Sequence, residues 1–199
     1  QVLSINKSNY YSMTSNYGKS KILIEKLFIK FCKKFNKSFL IISPSHVIGP
    51  NDFGPSPNGL FIKKTLKNKI VFCPKCNISI VDVRNISYFV KLSLEKYKKK
   101  FNNEKVILND ITMTYENYVK QISFKQEKLI FFFNKFIIKI VFYFGCVFFK
   151  FNFKKFVIID NSRLNYIKLN PIVHGFNFKK KYSLEETLSD TTKFFKKIT

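Results

Sequence analysis

Tryptophan is absent from this chain of 199 residues, and arginine, cysteine and histidine are scarce. Only Arg84 and Arg163 are arginines, so lysine supplies nearly all of the positive charge behind the formal net charge of +24. Proteins that read nucleic acid use arginine for bidentate contacts to guanine and phosphate. Its scarcity therefore argues against a specific nucleic-acid binder.

The net charge is best explained by amino-acid usage. Lys, Asn, Ile and Phe are enriched together, and all four have codons rich in A and T. We therefore interpret most of the lysines as residues of solvated faces. A field of this strength still attracts polyanions and anionic membranes, which is the alternative interpretation.

The chain has few metal-binding or disulfide-forming residues. Its cysteines are Cys32, Cys73, Cys76 and Cys146. They lie mostly in apolar runs, which favours a reducing, cytoplasmic location. Cys73 and Cys76 form a Cys-x-x-Cys pattern without a second pair, whereas structural zinc needs four ligands, so we expect a loop with incidental thiols. His46 and His174 are the only histidines, and we expect no metal site.

Hydrophobic periodicity predicts alternating helices and strands over the first 122 residues. The predicted helices cover residues 16–35, 60–66, 86–97 and 112–122, the last with Thr114 as its cap. The predicted strands cover residues 39–42, 70–72, 78–83 and 105–108. This alternation is typical of an α/β fold with a parallel sheet. A final amphipathic helix is predicted at residues 183–195.

Residues 128–150 are apolar and long enough to span a bilayer. Asn134, Lys135 and Lys139 lie in the middle of this segment. On an insertion scale, roughly 16 apolar residues at about −0.4 kcal/mol each are nearly cancelled by these polar residues at about +2 to +3 kcal/mol each. Spanning is therefore not favoured, and we expect a buried helix. The alternative is a peripheral membrane contact helped by the flanking lysines.

Tyr17 and Lys21 form the pattern with the most chemical content. They are four residues apart on a predicted helix, so their side chains share one face. A lysine ammonium close to a phenol stabilises the phenolate and makes tyrosine a usable acid or base near neutral pH. In a chain so rich in lysine, roughly one or two Tyr-x-x-x-Lys matches arise by chance. The pattern alone therefore also fits a solvated helix face.

The surrounding residues resemble the extended short-chain dehydrogenase/reductase family, also called the NAD-dependent epimerase/dehydratase family. Residues 17–21 (Tyr-Gly-Lys-Ser-Lys), followed by Glu25, resemble its active-site helix. Residues 41–50 resemble the strand and loop that follow that helix. Five further segments resemble the dihydroflavonol reductase-like branch of that family, namely residues 49–59, 80–86, 103–108, 161–163 and 183–188. The segments occur in the right order along nearly the whole chain, which makes the resemblance more specific than any single motif.

This resemblance implies an NAD(P)-dependent oxidoreductase that acts on a carbonyl or hydroxyl of a small organic substrate. Tyr17 would be the catalytic acid/base, and both Tyr17 and Lys21 would bind the cofactor, Lys21 at the nicotinamide ribose. Pro44 and the backbone of Val47 would contact the nicotinamide of NAD or NADP, and His46 is a candidate substrate contact. The family also implies a homodimer formed through the helix that carries Tyr17 and Lys21.

The architecture implied is the C-terminal half of a Rossmann-type parallel sheet with a smaller, mainly helical substrate domain. The first part would comprise residues 1–49 and 84–109, and the second residues 50–83 and 110–199. Residues 39–42 and 106–108 would then share one sheet. The family's glycine-rich turn and catalytic Ser or Thr are expected upstream of Gln1, so this chain alone is expected to bind a dinucleotide poorly.

Some residues depart from the family pattern. Asn85 replaces the usual Asp, while Ser43 and Cys76 stand where nucleotide-sugar enzymes carry arginines. A nucleotide-sugar epimerase or dehydratase is therefore the runner-up among enzymes. From other classes, the alternatives are a truncated, non-catalytic remnant and a basic membrane-associated binding protein. Asp82 is expected to be structural, tying a strand to the helix that follows.

Overall fold

A computed structural model of the protein describes residues 16–96, 103–123, 127–133 and 177–197. Within these ranges the helices are α1 (Asn16–Lys34), α2 (Pro57–Lys67), α3 (Val83–Lys96), α4 (Tyr115–Ile122) and α5 (Leu184–Lys197). The strands are β1 (Leu40–Pro44), β2 (His46–Ile48), β3 (Ile70–Pro74), β4 (Asn77–Asp82), β5 (Glu104–Leu108), β6 (Ile111–Thr114) and β7 (Leu129–Phe133). The described residues up to Phe39 form one compact unit, and those from Leu40 onward form a second.

Parallel strand pairing confirms the α/β fold class. β1 pairs with β5 in parallel, with Ile42 opposite Val106 and Pro44 opposite Leu108. The prediction that residues 39–42 and 106–108 share a sheet is therefore confirmed. Val106 and Leu108 are buried in a cluster with Val81 of β4, as expected for parallel strands that are covered on their faces.

β4 is the central strand of a second sheet, ordered β2-β4-β6. It pairs in parallel with β2 and antiparallel with β6. Its last five residues are all buried, including the polar residues Ser79 and Asp82. The largest core of the second unit packs on this sheet and consists of Ile48, Ile62, Ile78, Ile80, Tyr118, Ile122, Leu188 and Phe195. Burying one such side chain stabilises the fold by about 1.5–3 kcal/mol.

Side-chain caps set the starts of two helices. Thr114 accepts a hydrogen bond from the backbone N–H of Asn117 at 3.2 Å, which confirms the predicted cap of α4. α2 begins earlier than predicted because Pro57 suits the first turn of a helix, where its missing N–H costs nothing. The Ser56 hydroxyl caps that helix by accepting from the N–H of Gly59 at 3.1 Å.

Two segments are strands where the sequence predicted helix. Residues 112–114 belong to β6, so the predicted helix over residues 112–122 forms only from Tyr115 onward. The buried helix predicted over residues 128–150 is wrong for Leu129–Phe133, which pairs in parallel with Ile70–Pro74 as β7. Its aromatic and branched side chains suit a pleated surface. Residues 134–150 lie outside the described residues. In the part of the chain that is described, no helix has the length and apolar content needed to cross a membrane.

Candidate functional site

Tyr17 and Lys21 lie next to each other on the first turns of α1. The Lys21 ammonium nitrogen is 5.2 Å from the centroid of the Tyr17 ring, as the four-residue spacing predicts. Tyr17 is 72% exposed, and the Ser20 hydroxyl between the two residues donates to the Tyr17 carbonyl at 2.7 Å. The helix therefore presents a phenol and a neighbouring cation together to the solvent.

Pro44 ends β1 at the carboxyl edge of the β1–β5 pair. Its backbone lies opposite Leu108, the last residue of β5. The next residue, Ser45, ties the two strand ends together, since its N–H donates to the Leu108 carbonyl at 2.9 Å. Its hydroxyl donates to the Asn109 side-chain oxygen at 3.0 Å. Ligands of open α/β sheets bind outside such carboxyl ends, so this edge is a suitable place for Pro44 to contact one.

His46 opens β2 with its ring partly buried. Its Nδ1 atom lies 3.0 Å from the Ser79 carbonyl oxygen. Burial lowers the pKa of His46, and the hydrogen bond to Ser79 opposes this effect. The carbonyl can only accept, so Nδ1 carries the proton and Nε2 of the neutral ring is an acceptor. His46 is therefore a neutral hydrogen-bonding group at physiological pH.

Val47 is held in place from two sides. β2 pairs with β4, which places Val47 opposite Val81. The Asn58 side-chain amide donates to the Val47 carbonyl at 3.2 Å, so α2 fixes the backbone of β2. Gly49 allows a close approach just beyond this strand, because a Cβ atom there would lie 2.6 Å from Val83 Cγ1. The backbone at Val47 is thus rigidly positioned.

A line of polar side chains that the sequence did not predict runs beside these residues. The Asn109 amide donates to the Thr112 hydroxyl at 3.0 Å, and that hydroxyl lies 2.9 Å from the Ser79 hydroxyl. Ser79 also provides the carbonyl that binds His46. Asn109 follows directly after β5. A polar residue directly after a buried parallel strand was therefore the sequence signal that could have identified Asn109 as part of the site.

The predicted site residues fall into two groups. Tyr17 and Lys21 come together on α1, and Pro44, His46 and Val47 come together where β1 ends and β2 begins. The two groups belong to different compact units. Within the described residues, no group of three or more His, Cys, Asp or Glu side chains is placed to hold a metal ion.

Asp82 joins β4 to α3 and fastens α5, which agrees with the structural role expected for it. Its fully buried carboxylate lies 2.7 Å from the Arg84 guanidinium and accepts from the Thr187 hydroxyl at 2.7 Å. Arg84 also pairs with Asp190 at 2.6 Å and lies 3.9 Å above the centroid of the Tyr182 ring. The hydrogen bonds that Arg84 donates to the Asp82 carboxylate raise the pKa of Arg84, so the guanidinium stays charged. Asp190 and Tyr182 carried no sequence signal for this contact.

The two thiols of the Cys-x-x-Cys pair are expected to be unreactive. Cys73 and Cys76 are both buried, and burial raises the pKa of each thiol to about 11. Because the thiolate is the nucleophile, a shift from about 9 to about 11 lowers the reactive fraction ~100-fold at neutral pH. We expect iodoacetamide to label both residues at least ~100-fold more slowly in the native protein than in urea. Peptide mapping by mass spectrometry measures each residue separately, and labelling at equal rates in both conditions would contradict the burial.

No protein-family model and no curated protein matches this chain. Solved structures do match it. A nucleoside-diphosphate-sugar epimerase from Pseudomonas aeruginosa is 14% identical with a TM-score of 0.64, and the match covers 93% of this chain and 56% of that one. UDP-glucose 4-epimerase from Thermotoga maritima is 16% identical with a TM-score of 0.58, over 93% of this chain and 54% of that one.

A third similar structure holds a cofactor. It is a UDP-glucuronic acid 4-epimerase variant from Bacillus cereus in complex with NAD and a fluorinated UDP-sugar; it is 12% identical with a TM-score of 0.61, over 93% of this chain and 54% of that one. At such identities the likeness establishes a shared fold, the Rossmann-type fold of epimerase/dehydratase proteins. The chain spans a little over half the length of these structures.

Proposed function

We propose that this chain is the C-terminal part of an NAD(P)-dependent enzyme of the extended short-chain dehydrogenase/reductase type. The observation that carries the proposal is the pairing of Tyr17 with Lys21, 5.2 Å from ring centroid to ammonium nitrogen, on the helix that leads into a Rossmann-type sheet. An exposed phenol beside a cation is what proton transfer to a substrate oxygen needs. The Rossmann-type fold shared with the epimerase structures supports the same conclusion.

The family resemblance assigns part of a nicotinamide cofactor site to residues of this chain. Pro44 offers an exposed apolar ring at the carboxyl end of β1, and Val47 offers a backbone position that Asn58 and β4 hold rigid. Lys21 offers a cation for the hydroxyls of a ribose. NAD or NADP would supply the hydride donor or acceptor, while this chain supplies orientation and a proton. One similar structure contains NAD and another, from Pseudomonas aeruginosa, contains NADPH.

In this proposal each residue has a distinct task. Tyr17 transfers a proton to or from the substrate oxygen. Lys21 holds the nicotinamide ribose. His46 contacts the substrate as a neutral group, because burial lowers its pKa. Pro44 and Val47 fix the face on which the reaction occurs.

For the substrate we propose a small organic carbonyl or hydroxyl compound, as in the dihydroflavonol reductase-like branch. A nucleotide sugar is the second candidate, since several of the similar structures are named as nucleotide-sugar epimerases. Against it, Ser43 and Cys76 stand where such enzymes carry arginines for the diphosphate. Cys76 is buried, so its side chain is not available to a ligand.

We further propose that the protein is a cytoplasmic homodimer and that α1 lies at its centre. The apolar side chains of this helix are exposed in an unusual number, namely Leu23, Ile24, Leu27, Phe28 and Phe31, and Phe35 directly after the helix is exposed as well. An apolar stripe of this width is expected to be covered by other parts of the protein or by a second copy. Its position on the helix of Tyr17 and Lys21 supports the dimer that the family resemblance implies.

Replacing Lys21 tests the cofactor proposal by binding alone. We expect Lys21→Met in the full-length protein to weaken NADH or NADPH binding ~10–100-fold, since a hydrogen bond from a charged donor is worth about 1.5–3 kcal/mol. Titration calorimetry measures the dissociation constant. Lys30→Met, on an exposed turn of the same helix, removes the same charge and is expected to leave the affinity unchanged. Equal effects of the two substitutions would show that only net charge matters and would count against the proposal.

A further inference from the structure

An exposed apolar face lies on the two-stranded β3–β7 sheet. The parallel register places Ile70 opposite Leu129 and Phe72 opposite Phe131. Side chains alternate between the faces of a strand, so these four residues share one face. The Phe72 and Phe131 rings stack with their centroids 5.6 Å apart.

The opposite face of this sheet is already occupied. Val71 and Cys73 are buried there against Val119 of α4, with Tyr115 and Ile130 packed around them. The exposed face is therefore not the core side of a loosely packed sheet. Its exposure is high, with Phe72 at 67%, Leu129 at 63%, Phe131 at 52% and Ile70 at 45%. Contiguous apolar patches of this kind mark interaction sites.

Lysines stand at both ends of this face. Lys69 directly precedes β3. Lys128 directly precedes β7, and its ammonium donates to the Leu66 and Asn68 carbonyls at 3.3 and 3.0 Å. Because the strands run parallel, these two lysines lie at the same end of the sheet, where the Leu129 N–H donates to the Lys69 carbonyl at 3.0 Å. Lys75 follows β3 at the other end and is exposed. In segments 67–75 and 127–133 the only carboxylate is Glu127.

We propose that the β3–β7 face is a peripheral docking site for a membrane surface that carries anionic phospholipids. An aromatic and aliphatic face flanked by lysines has the chemistry of interfacial binders, in which rings enter the headgroup region and cations contact the phosphates. The net charge of +24 draws the protein toward such a surface. The proposal concerns a surface separate from Tyr17 and Lys21, and it does not depend on the enzymatic function.

The absence of tryptophan provides a direct test. We expect Phe72→Trp in the full-length protein to shift its emission to the blue when phosphatidylcholine vesicles containing phosphatidylglycerol are added, and to be quenched by brominated lipid. The matched control is Phe53→Trp, because Phe53 is also exposed, at 72%, but lies outside this face and contacts Phe194. An equal shift at both positions, or none at Phe72→Trp, would overturn the proposal.

Sedimentation with vesicles separates the apolar contribution from the charge. Phe72→Ser with Phe131→Ser is expected to lower the partition coefficient about tenfold per side chain, whereas Phe53→Ser leaves it unchanged. Lys69→Gln with Lys75→Gln is expected to lower it ~5-fold per lysine, an effect that high salt removes. The control variant Lys91→Gln with Lys193→Gln, on α3 and α5, removes the same charge and is expected to lower the partition coefficient by a smaller factor.

Two results would identify a different occupant. If the serine variants lower the melting temperature by many degrees and leave vesicle binding intact, the face is an internal packing surface. If they change the sedimentation coefficient of the protein alone, the face binds a second copy. Either result would overturn the membrane assignment.

Discussion

Tyr17→Phe is expected to lower the turnover number of the full-length enzyme ~10²–10⁴-fold, the usual contribution of a general acid or base. The substitution removes the phenol oxygen and leaves the ring, so the 5.2 Å contact with Lys21 keeps its geometry. Because the phenol is 72% exposed, its loss is expected to cost the fold little. Cofactor affinity is expected to change little, because Lys21, the proposed ribose contact, is unchanged. Steady-state kinetics with NADH or NADPH and a panel of carbonyl substrates measures the effect.

The pattern across variants distinguishes chemistry from structure. Lys21→Met is expected to damage both turnover and cofactor binding, since its ammonium serves both. His46→Ala is expected to affect mainly the substrate KM, because His46 is proposed to contact the substrate and not to transfer a proton. Cys73→Ser is expected to leave turnover nearly unchanged. Near-full turnover in Tyr17→Phe would mean that the protein shares the fold of these enzymes without their mechanism.

The elements that could be predicted from the sequence are those with strong local signals. β1, β4 and β5 each contain a short stretch rich in Val, Ile or Leu, and α1 and α5 have clear helical periodicity, so all five were found with small errors at their ends. β7 was missed because Leu-Ile-Phe-Phe-Phe is equally apolar as a helix or as a buried strand. Only its pairing with β3, nearly 60 residues earlier in the chain, decides between them, and such a contact leaves no local pattern.

The candidate site was predictable to a similar extent. Tyr17 and Lys21 are neighbours on one helix, so their spacing alone determined their contact. The partners of His46 and Ser45 were not predictable, since Ser79 and Asn109 are 33 and 64 residues away in sequence. Their contacts depend on strand register, which the sequence specifies only through the whole sheet.

The departure at Asn85, where the family pattern has Asp, has a physical explanation in its neighbour Asp110. Asn85 is fully buried, and its amide nitrogen donates to the Asp110 carboxylate and to the Tyr182 carbonyl, both at 2.9 Å. Its oxygen accepts from the N–H groups of Lys181 and Tyr182 at 3.0 and 2.9 Å. All four hydrogen-bonding positions of the amide are therefore used. An aspartate here would replace the amide nitrogen with an oxygen that can only accept. That oxygen would face the Tyr182 carbonyl and the charged Asp110 carboxylate, which are both acceptors.

Asn85→Asp is therefore expected to destabilise the fold by about 3–5 kcal/mol at pH 7, the cost of an uncompensated buried charge. The two carboxyls would share one site, so the pKa of one of them would rise in the folded state. A carboxyl whose pKa is raised in the folded state destabilises the fold when it is ionised and does so less once it is protonated. The loss of stability caused by Asn85→Asp is therefore expected to become smaller as the pH falls from about 7 to about 5. Urea unfolding at both pH values measures it.

The matched test of this account is the double variant Asn85→Asp with Asp110→Asn. The double variant again has one amide and one carboxylate at the contact between positions 85 and 110. The amide of residue 110 can then donate a hydrogen bond to the carboxylate of residue 85. We expect the double variant to recover at least half of the lost free energy of unfolding, a coupling of about 2 kcal/mol between the two positions. Asn177→Asp, at an exposed position outside the helices and strands, adds the same charge and is expected to change stability by less than about 0.5 kcal/mol. If the two single substitutions simply added, Asp110 would not be the reason that asparagine occupies position 85.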